Sequence, residues 1–298
     1  MKVTELLKDP QRTRYSLEVY PPKSVRTPNG PTIQQHLSNI FETVEHLMVY
    51  EPAFVSVTYN PEGMTRATSI PVAAIIKQRF KIEALAHLTS YATSWQELKR
   101  TMDVIDYFDV QNILALRGDI PKNPPLGDVP HPSFACDLVA GIKKYRKDFC
   151  IGVAGYPEGH PECKGKDGKV DLRKDLMHFK GKIDQGAEFA ITQLFLENDL
   201  YFDFVRRAKA AGVTVPILPG ILPMINANSA SIVKRLGASV PDSLKAKLES
   251  HKDDIEELQH IGVEHAVRQC KGLFGKTPCL HFYTMDRWEA VDAILKQL

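Results

Sequence analysis

The sequence lacks the features that would mark a membrane, nucleic-acid-binding or secreted protein. None of its apolar runs approaches the roughly 20 residues that a bilayer span needs. Lys and Arg number 38 against 36 for Asp and Glu, and these charges are spread along the chain without forming a basic patch. No secretory leader is recognisable, and the five cysteines include no C-x-x-C pair. We therefore expect a soluble, cytoplasmic protein with reduced thiols and no bound metal, which binds neither nucleic acid nor membrane.

A glycine-rich phosphate-binding turn is also missing, which bears on the fold class. No G-x-G-x-x-G follows the first β-branched run, where a doubly wound dinucleotide-binding sheet would normally carry it. Instead, eight short β-branched and aromatic runs alternate with longer stretches of helical period. The predicted strands are Tyr15–Val19, Ala53–Tyr59, Lys81–Leu88, Asn112–Leu116, Cys150–Ala154, Phe189–Gln193, Pro216–Leu218 and Cys279–Tyr283.

Eight β/α units in 298 residues predict an α/β fold, a (β/α)8 TIM barrel that forms a single catalytic domain over residues 1–298. The segment Pro241–Lys276 breaks the alternation, and we expect it to add two amphipathic helices between strands seven and eight. Ser94 and Glu97 have the spacing of a capping box, which predicts that the helix after strand three begins there.

Polar side chains cluster where the predicted strands end. In a TIM barrel these positions converge at one mouth, which is where catalytic residues lie. A single polar residue at a strand end is more often a loop hydrogen-bonder than a catalyst. Here, however, Glu18 lies in strand one, His87 near the end of strand three and Asp119 just after strand four. Such a set can supply a general acid, a cofactor contact and a charge stabiliser.

At these strand ends the sequence resembles the methylenetetrahydrofolate reductase family, and the likeness covers nearly the whole chain. The resemblance implies an FAD-dependent oxidoreductase of one-carbon metabolism and methionine biosynthesis that reduces 5,10-methylenetetrahydrofolate to 5-methyltetrahydrofolate. It also implies that NADH or NADPH reduces the flavin in a ping-pong cycle at the same site. The matching segments, in chain order, are E-x-x-P-P, S-V-T-Y, H-L-T, L-R-G-D, Y-P-E-x-H-P-E, I-T-Q, P-G-I-L-P and H-F-Y-T.

The resemblance implies roles for individual residues at the mouth. Glu18 would be the general acid that helps to open the bridging methylene, a role that requires a raised pKa at neutral pH. The Tyr20-Pro21-Pro22 loop would provide apolar surroundings for that carboxyl group. Asp119 would place a negative charge near flavin and pterin, where it favours a cationic iminium. The substrate-binding residues implied are Gln193, Thr58 and Arg287.

The implied FAD site is larger, and the chain departs from the family at its edges. His178 and Gly181 stand where relatives commonly have Asn and Arg, so one cation near the phosphates is missing, and Lys180 or Lys174 would have to replace it. Ala227 stands where many relatives have a stacking aromatic residue, and we assign it no role. The FAD-binding residues implied are Thr58, His87, Arg117, Gly118, Asp119, Tyr156, His160, Asp175 and Lys182.

Two other functions are compatible with the same residues. One is a different FAD barrel, such as a proline dehydrogenase-like enzyme. The other is a reductase subunit that receives its electrons from a partner protein; the missing aromatic at Ala227 argues against nicotinamide stacking at that position. We expect a homo-oligomer, and the sequence leaves the choice between NADH and NADPH open.

Overall fold

Eight parallel strands close into a barrel, in which each strand pairs with its neighbours in chain order and β8 pairs with β1. The computed structural model describes residues 1–9, 12–22, 32–59, 66–119, 131–225 and 229–298. The predicted TIM barrel is therefore confirmed. The strands are β1 (Arg14–Val19), β2 (Phe54–Val57), β3 (Glu83–Thr89), β4 (Asn112–Leu116), β5 (Cys150–Gly155), β6 (Phe189–Leu194), β7 (Ile217–Ile221) and β8 (Cys279–Tyr283).

All eight predicted strands are present, and β4 and β8 have the predicted bounds. The largest difference is in β7, which continues through Pro219 and Gly220 to Ile221. Proline and glycine argue against a strand interior in general. In this barrel, however, Gly220 pairs with Leu194 of β6 and His281 of β8, so the position belongs to the sheet.

Helices surround the barrel, and a short one precedes β1. The helix after β3 begins as predicted: Ser94 Oγ accepts from Glu97 N at 3.2 Å, and the Glu97 carboxylate accepts from Ser94 N at 2.9 Å. The helices of the described residues are α1 (Val3–Leu6), α2 (Ile33–Leu47), α3 (Arg66–Phe80), α4 (Trp95–Tyr107), α5 (Ala135–Tyr145), α6 (Leu172–Asp184), α7 (Asn198–Ala210), α8 (Ser229–Arg235), α9 (Asp242–Ser250), α10 (Ile255–Leu273) and α11 (Trp288–Leu295).

The extra helices between β7 and β8 are confirmed, but their assignment needs a correction. Of the two helices in Pro241–Lys276, only α9 is additional. The second, α10, contacts both α7 and α11 and so occupies the seventh place in the ring around the barrel. Its residues Ala266, Cys270 and Leu273 are buried in the main hydrophobic core. The other additional helix is α8, which lies upstream and packs with α9 in a separate apolar cluster.

The amino-terminal end of the barrel is closed by α1. Val3 is fully buried against the inner cluster that contains Phe54 and Phe189, and its N–H donates to Asn112 Oδ1 at 2.8 Å. Because this end is filled with apolar side chains, ligands can enter the barrel only at the carboxyl ends of the strands.

Candidate active site at the barrel mouth

A cavity of about 390 Å³ opens at the carboxyl ends of the strands. The strands bring polar side chains from distant parts of the chain into its wall, as the barrel prediction requires. Nine of the predicted site residues line it: Glu18, Thr58, His87, Arg117, Gly118, Asp119, Tyr156, His160 and Gln193.

A second cavity, also of about 390 Å³, lies beside the first one. Arg117, Tyr156 and His160 line both cavities, so the two spaces adjoin. The predicted residues Asp175 and Lys182 line only the second. Eleven of the twelve predicted site residues therefore line this pair of cavities.

Arg287 is the predicted residue that lies elsewhere. It is exposed at the N-cap of α11 and lines neither cavity. Ala227 lies outside the described residues. At the other departures, His178 lines the second cavity and stacks on Phe134 with ring centroids 6.0 Å apart. Gly181 has open space where a Cβ would stand.

Of the two lysines expected to replace the missing cation, one is placed to do so. Lys174 lines the second cavity. Lys180 does not, because it forms an ion pair with Asp184 at 2.6 Å one turn further along α6.

Glu18 is buried at the base of the first cavity, with histidines on two sides. His281 Nε2 lies 3.4 Å and His87 Nε2 lies 3.5 Å from Glu18 Oε2. His281 Nδ1 in turn lies 2.9 Å from Ser16 Oγ. An ionised carboxylate only accepts hydrogen bonds, so His281 donates to Glu18 from Nε2 while Nδ1 forms the hydrogen bond with Ser16. A buried chain of polar groups thus runs from Ser16 through His281 to Glu18.

The expected raised pKa of Glu18 is wrong for the ligand-free site. Burial does raise the pKa of this carboxyl group by desolvation. The hydrogen bond from His281, the electrostatic interactions with His87 and His281 and a hydrogen bond from Tyr20 outweigh that effect, so the pKa lies below its ordinary value. Glu18 is therefore ionised at neutral pH in this state.

His87 is neutral at the same pH. Desolvation lowers its pKa to about 4, although the charge of Glu18 acts in the opposite direction. Its Nε2 lies 2.7 Å from Ser56 Oγ, a buried hydroxyl on the neighbouring strand β2. The imidazole is thus held by its neighbours as an uncharged group facing the cavity.

The loop after β1 is tethered to the turn after β8. Tyr20 N donates to Asp286 Oδ1 at 2.8 Å, and His36 Nε2 lies 3.2 Å from Asp286 Oδ2. That hydrogen bond from His36 to Asp286 raises the pKa of the imidazole. Met285 and Asp286 both have positive φ, 52° and 55°, a conformation that non-glycine residues rarely adopt. The strained turn carries the carboxylate that positions Tyr20 over Glu18.

Sequence reasoning gave no role to His281, Ser16 or Asp286. A signal for the first two was present: in a strand, alternate residues share a face. Ser16 therefore points to the same side of β1 as Glu18, and His281 lies beside Ser16 in the register between β1 and β8. Asp286 follows the strand in an irregular turn, where no period applies.

Gln193 lines the first cavity from β6, and its side chain folds back on the backbone. Its Oε1 accepts from Leu194 N at 2.9 Å, at an irregularity in the pairing of β6 and β7. This hydrogen bond fixes the orientation of the side-chain amide. The NH₂ group can therefore donate to an acceptor on a ligand.

Basic side chains line the shared wall and the second cavity. Arg117 pairs with Glu162 at 2.6 Å, and binding of an anionic ligand by this guanidinium would require that pair to open. Lys182 donates to the carbonyl of Ala154 and lies over the Tyr156 ring. Burial lowers the pKa of Lys182 to about 8, while Asp175 raises it. Desolvation also raises the pKa of Asp175, which is buried seven residues earlier on α6.

The described residues include neither a metal-binding cluster nor a membrane-spanning helix. No group of three or more His, Cys, Asp or Glu side chains is arranged to hold a metal ion. No described helix is both long and apolar enough to cross a membrane.

Comparison with known sequences gives a match along almost the whole chain. The family model described as methylenetetrahydrofolate reductase matches residues 2–298. Methylenetetrahydrofolate reductase (NADH) 1 of Arabidopsis thaliana is 32% identical over 311 residues, which cover 100% of this chain and 51% of the plant protein. The 5,10-methylenetetrahydrofolate reductase of Salmonella typhimurium is 34% identical over 287 residues, with 95% of this chain and 90% of the bacterial protein covered. The chain thus spans about half the length of the plant relative.

A solved structure shares the fold. A Clostridium thermocellum protein that binds two copies of 5-methyl-5,6,7,8-tetrahydrofolic acid superposes with a TM-score of 0.59. The match covers 98% of this chain and 95% of that one, at 15% identity. At that identity the likeness supports the barrel fold alone.

Proposed function

Because the chain belongs to the methylenetetrahydrofolate reductase family, we propose that it reduces 5,10-methylenetetrahydrofolate to 5-methyltetrahydrofolate. One observation carries the proposal. The strand-end residues through which the sequence resembles the family, from Glu18 to Gln193, line one cavity at the barrel mouth. A sequence resemblance limited to loops or to core residues would not predict that these side chains share one cavity.

FAD is the cofactor that we propose for this site. Two adjoining cavities with a shared wall at Arg117, Tyr156 and His160 suit a ligand made of a ring system and a nucleotide. The residues fit each part. Gly118 has φ +87°, which lets its backbone approach a ring, and buried Asp175 can accept from a ribose hydroxyl. When bound, FAD would accept a hydride from one substrate and give it to the other.

The phosphates would lie between the two cavities. Arg117 would exchange Glu162 for a phosphate oxygen, and Lys182 and Lys174 would add positive charge from α6. Lys174 would replace the cation that the chain lacks at Gly181. Thr58 and His87 would contact the ring part from strands β2 and β3.

Glu18 would act as the general acid toward the folate. It would hold a proton on a carboxyl oxygen and give it to the nitrogen that departs when the bridging methylene opens. Its lowered pKa in the ligand-free site means that this proton must be acquired as the substrate binds. A ligand that covers the mouth excludes water from the carboxylate, and this desolvation raises the pKa.

Asp119 and Gln193 would bind and stabilise the folate. The exposed carboxylate of Asp119 would favour the cationic iminium electrostatically, and the amide of Gln193 would hydrogen-bond the pterin.

NADH or NADPH would be the electron donor and would use the same mouth before the folate does. NADH is also the donor in the name of the Arabidopsis relative. We further propose that residues 1–298 act as one catalytic barrel in cytoplasmic one-carbon metabolism.

An anaerobic absorbance experiment tests cofactor, donor and substrate in turn. Purified protein mixed with FAD should show a bound-flavin spectrum, which NADH or NADPH should bleach. Adding 5,10-methylenetetrahydrofolate should then restore it. Failure to bind FAD would contradict the cofactor proposal. A bound flavin that both nucleotides leave oxidised would instead favour electron delivery by a partner protein.

A further inference from the structure

One wall of the first cavity comes from the inserted helix α8, to which the resemblance gave no role. Ile232 and Arg235 line the cavity from this helix, and Leu236 lines it directly after the helix ends. Their spacing of three and four residues places them on one face. Val233 points to the other side and is fully buried in the apolar cluster that α8 shares with α9. The helix therefore presents an apolar surface to the cavity, with one cation near its end.

The end of α8 that carries Arg235 is fixed to the loop after β5. Gly237 has φ +84° and lies so close to Pro161 that an added Cβ would stand 2.4 Å from the proline ring. Ser239 N donates to the Glu158 carboxylate, at 3.0 and 3.1 Å from its two oxygens. Both contacts hold Arg235 at the rim on the side of the β5 loop.

Arg235 differs from the other basic groups of this cavity in its electrostatic surroundings. Arg117 is neutralised by Glu162. Burial lowers the pKa of His87 and of His160, so both imidazoles are uncharged at neutral pH. Arg235 is exposed, and no hydrogen bond or ion pair joins it to any residue in the described part of the chain.

We infer that Arg235 binds the anionic outer end of a substrate whose reacting ring lies deeper in the mouth. The inference rests on the proposed function, because both proposed substrates have such an end. The folate ends in glutamate carboxylates, and NADH carries a diphosphate. A guanidinium forms charge-assisted hydrogen bonds with either group. The apolar side chains of Ile232 and Leu236 would contact the uncharged part of the same ligand.

The test compares Arg235→Gln with Lys234→Gln in the FAD-loaded protein. Lys234 is the exposed neighbour on α8 that does not line the cavity, so its substitution removes the same charge from the same helix. Calorimetric titrations use 5-methyltetrahydrofolate and 5-methyltetrahydropterin, which lacks the glutamate tail. For NADH, which reduces the flavin, the concentration dependence of the anaerobic flavin-reduction rate measures binding. We expect Arg235→Gln to weaken one tailed ligand about three- to tenfold, with little change for the pterin. Arg235→Lys should recover part of the loss.

The pattern of losses identifies the anion. Weaker binding of 5-methyltetrahydrofolate alone would assign Arg235 to the carboxylates, and weaker binding of NADH alone would assign it to the diphosphate. Loss of both would assign it to a shared anion site. If Arg235→Gln and Lys234→Gln bind every ligand equally, or if the tail-less pterin weakens as much as the folate, the inference is overturned while the proposed function stands. Wild-type protein that binds neither the folate nor NADH would contradict the proposed function itself.

Discussion

The chemistry of this mouth depends at the residue scale on how Glu18 is surrounded. A buried carboxyl group in apolar surroundings would have a raised pKa. Here His281 and Tyr20 donate to it, and these hydrogen bonds lower the pKa in spite of burial. Under the proposed function, the same side chain would be ionised in the empty site and would become the acid once a substrate has displaced the water around it.

The first prediction at this scale separates the two half-reactions. Glu18→Gln should slow the reoxidation of reduced flavin by 5,10-methylenetetrahydrofolate by about a hundred- to ten-thousand-fold, because an amide cannot deliver the proton. Reduction of the flavin by NADH should be nearly unchanged, since hydride transfer to the flavin needs no proton from Glu18. Stopped-flow absorbance measures each step separately. Equal loss in both steps would mean that Glu18 has a structural role only.

A second prediction concerns His281, which donates to Glu18 at 3.4 Å. His281→Gln removes the imidazole and weakens the stabilisation of the carboxylate, so the pKa of Glu18 should rise. Because the protonated form is the acid, the folate half-reaction should then persist to higher pH before it declines. The measurement is the pH profile of flavin reoxidation. His265→Gln is the control, since His265 contacts the carbonyl of Leu196 away from the site. An unshifted profile in His281→Gln would remove His281 from the proton-handling group.

At the scale of elements, the pairing of β6, β7 and β8 leaves no room beside Gly220. A Cβ there would stand 2.4 Å from the carbonyl oxygen of Thr192 and 2.7 Å from the Tyr283 ring. The Tyr283 hydroxyl donates to that same carbonyl at 2.7 Å, so the ring cannot move away without losing the bond. The glycine of β7 leaves room for the Tyr283 side chain to reach from β8 to β6.

Gly220→Ala should therefore destabilise the barrel, by about 1–3 kcal/mol, because the contact is with backbone and not with a flexible side chain. The matched control is Gly181→Ala on α6, where a Cβ meets nothing within 4 Å. Alanine in a helix should stabilise by about 0.5–1 kcal/mol relative to glycine. Urea unfolding of the two variants should give changes of opposite sign. A neutral Gly220→Ala would show that Tyr283 can adopt another position.

For the whole molecule, the barrel is filled at one end and open at the other. The apolar cluster around Val3 and Phe54 closes the amino-terminal end, and the two cavities occupy the opposite end. A ligand that bridges both cavities would contact loops from several strands at once, and it would stabilise the native state by mass action.

We therefore expect FAD to raise the thermal unfolding temperature. At a free FAD concentration about a hundred times its Kd, the stabilisation should be about 2.7 kcal/mol, or several degrees. Differential scanning fluorimetry over a range of FAD concentrations measures this without any turnover. Lys182→Met, which removes the cation between Asp175 and Tyr156, should reduce the shift, whereas Lys180→Met on the outer face of α6 should not. Equal shifts in the two variants would place the phosphates elsewhere.

The structural features that the sequence determined by itself are those that depend on residues close together in the chain. Eight alternating β/α units were readable because strand and helix periods differ, and the start of α4 was readable because its capping box lies within four residues. Nine of the twelve predicted site residues line the first cavity because the strand ends of a barrel converge, and Asp175 and Lys182 line the adjoining one from α6. The exception, Arg287, begins a helix, and its orientation depends on the turn before it.

Only the tertiary structure decided the remaining features, because each arises between residues far apart in the chain. Glu18 and His281 are 263 positions apart, and their contact changes the direction of a pKa shift that burial alone would predict. The amphipathic period of α10 is the same as that of an added helix, so the sequence cannot distinguish the two. Its contacts with α7 and α11 place it in the ring around the barrel. The position of Arg235 at the mouth likewise follows from the packing of α8 against the β5 loop. Sequence periods specify which face of an element is apolar, and the closed barrel decides what that face meets.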